Sequence, residues 1–152
     1  MRIAGVKKHS FVDGDGIRYV IFTQGCKHHC PSCQNPDTWD MDGGFEIEEE
    51  HLAKDILQTK HITGITLSGG DPYYQWSKCT KLLSMLPGVN VWIYTGYEYS
   101  EIKDNPLTNM ADAVVTGPFI ESLKCEGHMY GSSNQEIHYN FREGKKNEDN
   151  RL

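Results

Sequence analysis

Hydrophobic spacing divides the chain into alternating strand-like and helix-like segments. Ile17 to Thr23 is dominated by β-branched and aromatic residues before Gly25 breaks the run, which predicts a buried strand. From Glu48 the spacing becomes helical, with Leu52, Ala53, Ile56 and Leu57 on one face. Glu48, Glu49 and Glu50 sit at the end where the helix dipole favours acids, and read as a solvated helix start. Ile62 to Leu67 predicts a second strand, ended by the turn Ser68-Gly69-Gly70-Asp71-Pro72. Tyr73 to Leu86 returns to helical spacing, with Cys79, Leu82, Leu83 and Leu86 on its apolar face. Val89, Val91 and Ile93 alternate in a third strand that runs to Thr95-Gly96. A weaker helix spans Tyr99 to Lys103, and Ala111 to Thr116 forms a fourth strand closed by Gly117-Pro118. Ile137 to Phe141 is expected to make a short edge strand, whereas Lys145 to Leu152 has hardly an apolar side chain and is expected to fray.

The resulting order, β-α-β-α-β-α-β, implies an α/β fold with parallel strands, right-handed crossovers and ligand sites at the carboxyl ends of the strands. Three turns fall at that edge: the cysteine loop after the first strand, Gly69-Gly70-Asp71 after the second and Thr95-Gly96 after the third. They are expected to converge on one site. A full eight-unit barrel takes about 250 residues; a chain of 152 builds only part of one, as a single domain over residues 1–152.

Composition narrows the class. Apolar residues are 38% and charged residues 24%, near the globular norm. No run of about 18 apolar residues is present to cross a bilayer, and Met1-Arg2-Ile3 leads into mixed sequence with no signal-like stretch, so a cytoplasmic protein is expected. A net charge of -6 argues against a nucleic-acid surface, whose affinity comes mainly from clustered Lys and Arg.

Five cysteines are present, three of them within Cys26-Lys27-His28-His29-Cys30-Pro31-Ser32-Cys33. That grouping is too crowded for an ordinary disulfide framework and points to a metal in a reducing compartment. Spacings of three and then two residues let one loop wrap three thiolates around a compact centre. A structural zinc site normally closes with a fourth protein ligand and a second distant pair, and Cys79 and Cys125 form no such pair. His28 or His29 would have to strain the short loop to reach the same metal, and both are expected to face solvent. An iron-sulfur cube with one open iron accounts better for three ligands, although cluster potentials range too widely for spacing alone to define the chemistry.

Cys-x3-Cys-x2-Cys after a first strand resembles the radical S-adenosylmethionine (SAM) superfamily. Gly25-Cys26-Lys27-His28-His29-Cys30, Cys33-Gln34-Asn35-Pro36 and Thr38-Trp39 are closer still to the activating-protein family of the anaerobic ribonucleoside-triphosphate reductases. Val12-Asp13-Gly14-Asp15-Gly16-Ile17-Arg18, Leu67-Ser68-Gly69-Gly70-Asp71-Pro72, Tyr94-Thr95-Gly96-Tyr97, Gly117-Pro118-Phe119 and Gly131-Ser132-Ser133-Asn134-Gln135 agree with the same family. The chain departs from the usual pattern in having Asp71 for Glu, Asp15 for Pro, Ser32 for an aromatic residue and Tyr130 for Arg.

The resemblance implies a partial, open (βα) barrel of the radical SAM type. It implies a 4Fe-4S cluster on Cys26, Cys30 and Cys33, and SAM held by Ser32, Cys33, Gln34, Gly69, Gly70, Asp71 and Thr95. Asp71 would accept the ammonium of the methionine end, a charge-assisted contact, with Pro72 biasing it towards an extended backbone. Backbone groups of Ser32 and Gln34 would meet adenine, and Gly69 and Gly70, lacking a Cβ, would let backbone approach the ligand. In such a protein one electron breaks the S-C5' bond of SAM, and a hydrogen atom is then taken from a glycine of the partner reductase. A flavodoxin-type protein is the implied electron donor; no general acid or base is required and none is nominated. Another small radical SAM enzyme, such as a 7-carboxy-7-deazaguanine synthase or a different glycyl-radical activase, shares the cysteine loop and the Gly-Gly turn. A zinc-binding interaction module is the alternative from another class.

Overall fold

The β-branched run after Ile17 does form a strand, but it is the second of the chain. The computed structural model describes residues 1–28, 36–125 and 130–140. In order these form β1 (Arg2–Ser10), β2 (Arg18–Thr23), β3 (Phe45–Glu46), α1 (Glu49–Gln58), β4 (Gly64–Gly69) and α2 (Trp76–Ser84). Then come β5 (Asn90–Tyr94), α3 (Tyr99–Ile102), α4 (Pro106–Met110), β6 (Ala113–Thr116) and β7 (Glu136–Tyr139). Short 3-10 turns occupy Pro36–Thr38, Pro72–Gln75 and Glu121–Leu123.

All seven strands join one sheet in the order β3-β1-β2-β4-β5-β6-β7. The central pairs β2/β4, β4/β5 and β5/β6 are parallel, as the alternation implied. β1 pairs antiparallel with β2 and β3, and β7 pairs antiparallel with β6. Among the described residues the sheet therefore ends at β3 and β7 and does not close.

Two packed faces explain why the alternation in β5 is not amphipathic. On one face, Ile65, Leu67, Val91, Ile93 and Val114 pack with Leu52, Ala53 and Ile56 of α1, Leu82 and Leu83 of α2 and Leu107 of α4. On the other, Trp92, Ala113 and Val115 gather with Tyr94, Tyr130 and Ile137. Val91, Trp92 and Ile93 are consequently all buried, the signature of a strand covered on both sides.

That second face also receives the loop before β2. Arg18 is fully buried, and its guanidinium donates to Thr66 Oγ1 (3.2 Å), the Asp15 carbonyl (3.0 Å), Asn90 Oδ1 (2.8 Å) and the carbonyls of Ile65 (2.6 Å) and Asn90 (3.2 Å). Thr66 Oγ1 donates in turn to the Asp13 carbonyl at 2.6 Å. Gly14, at φ 118°, lies so close that a Cβ there would come within 3.0 Å of the Trp92 ring. Asp13-Gly14-Asp15-Gly16 is thus a loop pinned to the sheet.

Several boundaries differ from the spacing. β1 has no regular apolar alternation, since Lys7, Lys8 and His9 are exposed; it exists because β2 offers a ladder. Leu57 is exposed, because it lies about 140° round the helix from Leu52 at roughly 100° per residue. Glu49 is buried and bonds to the amino group of Met1, with Lys81 at 3.5 Å, so the acidic helix start is only partly solvated. β4 begins at Gly64 and runs to Gly69 because its register with β2 sets both ends, Gly64 opposite Arg18 and Gly69 opposite Thr23. The helix expected from Tyr73 begins as a 3-10 turn, and α2 proper starts at Trp76. β6 begins at Ala113 because Ala111 caps α4, which starts under an Asn105 side-chain cap. The edge strand is Glu136–Tyr139; Phe141 and the tail at 145–152 lie outside the described residues. Among the described residues no helix is long and apolar enough to cross a membrane.

Candidate functional site

The carboxyl ends of β2, β4 and β5 meet through backbone contacts. Gly70 N donates to the Thr23 carbonyl (2.8 Å) and Asp71 N to that of Gly25 (2.9 Å). From the other side, Gly25 N and Cys26 N donate to the Thr38 and Trp39 carbonyls at 2.6 and 3.1 Å. The start of the cysteine loop is thereby stapled between the Gly69-Gly70-Asp71 turn and the Thr38-Trp39 segment, and Cys26 is buried.

The two glycines serve this staple. A Cβ on Gly69 would fall 2.5 Å from Thr23 N, and one on Gly70 would fall 2.4 Å from the Gly25 carbonyl oxygen. Their missing side chains let the chain approach itself at the base of the cysteine loop, where the sequence suggested an approach to ligand.

Asp71 is the centre of the arrangement. Its backbone is extended (φ -133°, ψ 119°), as a residue before proline should be, and its carboxylate is fully buried. Tyr73 N donates to Oδ1 at 3.1 Å and Gly96 N to Oδ2 at 2.9 Å. Thr95 Oγ1 lies 3.0 and 2.8 Å from the two oxygens and itself accepts from Tyr97 N at 3.1 Å. His28 Nε2 donates to Oδ2 at 2.8 Å. His28 therefore points inward from the cysteine loop and does not face solvent as expected; its side chain is only 19% exposed. The hydrogen bond to Asp71 raises the imidazole pKa, against the opposing effect of burial, and the charges of Asp71 and Glu101 add to the rise.

Aromatic rings enclose that histidine. Its centroid lies 4.6 Å from the Tyr97 ring, nearly edge-on, and 5.8 Å from Tyr74, while Tyr74 and Tyr97 are 5.9 Å apart. Burial, followed by the hydrogen bond to Tyr97, pushes the Tyr74 phenol well above its ordinary pKa. Burial likewise raises Tyr73, whose hydroxyl meets Thr108 Oγ1 at 2.6 Å.

Of the residues singled out in the sequence, Cys26, Gly69, Gly70, Asp71 and Thr95 come together at the strand ends. Cys30, Ser32, Cys33 and Gln34, with His29, lie outside the described residues. Cys79 is buried on α2, its Sγ 3.7 Å from the Pro72 carbonyl oxygen, and burial pushes its thiol pKa up to about 12. Cys125 is half-buried in its loop.

Spacing did not reveal Gln24 and Gln75. Gln24 Nε2 donates to the Asp37 and Asp40 carbonyls (3.1 and 2.8 Å), and Gln75 Nε2 to those of Arg2 and Gln24 (2.7 and 3.0 Å). Their polarity in turn segments was the only available signal. Gly131-Ser132-Ser133-Asn134-Gln135 is likewise a hydrogen-bonded turn. Gln135 Oε1 accepts from Gly131 N and Ser132 N (2.7 and 3.1 Å), while Gln135 Nε2 and Asn134 Nδ2 donate to the Gly117 and Pro118 carbonyls (2.9 and 2.8 Å). It fastens the loop after β6 to the start of β7.

The donor set fits the implied groups where it is described. A buried thiol stands at the base of a tightly held loop, and a buried carboxylate in reach of that loop suits a cationic ligand group, whose desolvation it would offset.

A family of 4Fe-4S single cluster domains matches residues 12–138 of this chain. An anaerobic ribonucleoside-triphosphate reductase-activating protein of Salmonella typhi is 34% identical over an alignment of 142 residues, covering 84% of this chain and 92% of that protein. The protein of the same description from Enterobacteria phage T4 is 32% identical, covering 84% of this chain and 86% of its own length. A pyruvate formate-lyase-activating enzyme of Clostridium pasteurianum is 38% identical over 68% of this chain, but over only 47% of that enzyme.

Proposed function

The chain belongs to the 4Fe-4S single cluster domain family and to the anaerobic ribonucleoside-triphosphate reductase-activating proteins, and on that basis we propose that it is a radical SAM activase for such a reductase. It cleaves SAM reductively and generates a glycyl radical on its partner. The observation that carries the reading is a buried carboxylate, Asp71, held beside the cysteine loop at the ends of the parallel strands.

Cys26, Cys30 and Cys33 hold the cluster. When bound, a 4Fe-4S cluster supplies the single electron that breaks the S-C5' bond of SAM and so leads to hydrogen-atom removal from a glycine Cα of the reductase. Asp71 takes the ammonium of SAM. Thr95 Oγ1 and Gly96 N orient its carboxylate. Gly69 and Gly70 set the turn that carries Asp71 to the cysteine loop, and backbone groups of Ser32 and Gln34 meet adenine. Burial of Asp71 keeps water from the charged contact.

The open sheet is read as an incomplete (βα) barrel of the radical SAM type, whose unclosed side admits the partner's glycine loop. A flavodoxin-type protein is the proposed electron donor, and the cytoplasm the proposed compartment. A different glycyl-radical activase is the second reading, favoured by the pyruvate formate-lyase-activating relative.

The test is anaerobic incubation of reconstituted protein with dithionite, SAM and either the reductase or pyruvate formate-lyase. Expected are 5'-deoxyadenosine and a glycyl radical signal in electron paramagnetic resonance with the reductase. SAM cleavage with a radical only on pyruvate formate-lyase selects the second reading. Zinc without iron or sulfide in the reconstituted protein refutes both, and Cys26→Ala, Cys30→Ala and Cys33→Ala should each abolish cluster and cleavage.

A further inference from the structure

Asp71 has no room for another donor. An ionised carboxylate offers about four lone-pair sites, and the chain itself supplies Tyr73 N, Gly96 N, the Thr95 hydroxyl and His28 Nε2. A ligand ammonium can reach this carboxylate only by replacing one of the four.

Three of them are fixed. Tyr73 N and Gly96 N are backbone groups, and Thr95 sits at the end of β5, where its own amide donates to the Val115 carbonyl at 3.0 Å. His28 is different, because it is a side chain from a loop and retains 19% exposure. It alone can swing away without unmaking the sheet.

The wall opposite is cut for whatever occupies that position. A Cβ on Gly96 would fall 2.8 Å from His28 Cδ2 and 3.0 Å from Cγ, so the missing side chain makes the space in which the ring lies. Tyr74 and Tyr97 flank the same space. Aromatic faces attract ammonium groups as well as they pack on imidazole, so the walls that hold His28 suit the cation that would replace it.

We propose that His28 is a displaceable internal occupant of the Asp71 cation site: it donates to the buried carboxylate and yields its place to the ammonium of the ligand. The proposal rests on the reading that Asp71 takes the ammonium of SAM. A buried carboxylate is thus never left short of donors, at the cost of part of the ligand's affinity.

The test uses reconstituted protein with the cluster oxidised, so that SAM binds and is not consumed. Equilibrium dialysis with labelled SAM should show His28→Ala binding more tightly than wild type by about 10-fold or more, the size expected from removing one competing hydrogen bond to a charged group. Affinity that is unchanged or weaker overturns the proposal. Wild-type protein supplies an independent measure should the variant fail to fold: carbethoxylation of His28, read by peptide mass, should accelerate at saturating SAM, and a constant or slower rate overturns the displacement. Asp71→Asn separates the two levels of inference. If SAM affinity ignores Asp71→Asn, the ammonium reading fails; if Asp71→Asn abolishes binding while His28→Ala does not tighten it, displacement alone fails.

Discussion

Replacing Thr95 with Val tests whether the chain holds Asp71 ready before any ligand arrives. The substitution exchanges a hydroxyl for a methyl of nearly the same volume, so no cavity follows. It removes a hydroxyl lying 2.8 Å from one carboxylate oxygen and 3.0 Å from the other. Hydrogen bonds to charged groups contribute about 1.5–3 kcal/mol. Asp71 keeps Tyr73 N, Gly96 N and His28, which holds the loss well short of the roughly 3–5 kcal/mol that follows when a buried charge loses its partner outright. Tyr97 N also loses its acceptor, but that residue is half-buried and water can replace the hydroxyl. The expected cost is therefore about 2 kcal/mol, or a Tm lower by about 4–8 °C in a domain of this size. Thermal unfolding by circular dichroism, at equal iron content, measures it. Thr95→Ser retains the hydroxyl and should lose only about 1 kcal/mol for the missing methyl. A Val variant within 1 °C of wild type, or a Ser variant as damaged as Val, would refute the idea that Thr95 positions this carboxylate.

Arg18→Met should lower stability by about 3–5 kcal/mol, read as a shifted urea midpoint, because it strips donors from buried acceptors on β4 and β5; equal stability would show that the guanidinium network is dispensable. Cys79, buried and with its thiol pKa pushed up to about 12, should resist iodoacetamide at pH 8 until the protein unfolds, and Cys79→Ala should keep full iron content; loss of iron would make it a ligand. Tyr19 donates to Asp55 at 2.6 Å, and that bond is the main cause holding the Asp55 pKa below its ordinary range. A depressed carboxyl stabilises the fold above the unfolded pKa of about 4 and loses that contribution as pH falls through the lower folded value. Tyr19→Phe should accordingly be less stable than wild type at pH 7, by under about 1 kcal/mol given the solvent screening of a part-exposed carboxylate, and the gap in urea midpoint should close in acid. A gap that widens below pH 4 contradicts the assignment.

What the linear chain determined was the alternation of apolar runs and turns, and with it the four parallel strands and the three turns at their carboxyl ends. Such patterns are local, because burying one helix face or one strand sets a period that a sequence displays. The Cys-x3-Cys-x2-Cys spacing is local in the same way. Tertiary structure alone decided the rest. β1 became a strand because β2 offered it a ladder, and no period in its own residues signals it; β7 was legible as an edge strand around Ile137, but its bounds were set by pairing with β6. Gly69 and Gly70 read equally as a ligand turn or a plain one, until the fold brought Thr23 and Gly25 against them. His28 and Asp71 are 43 residues apart, and only the convergence of β2, β4 and β5 made one the partner of the other. The three clustered cysteines were legible as a cluster loop from the start, but the carboxylate that holds His28 beside Cys26 belongs to the tertiary structure, where donors from three separate stretches of the chain fill its lone pairs.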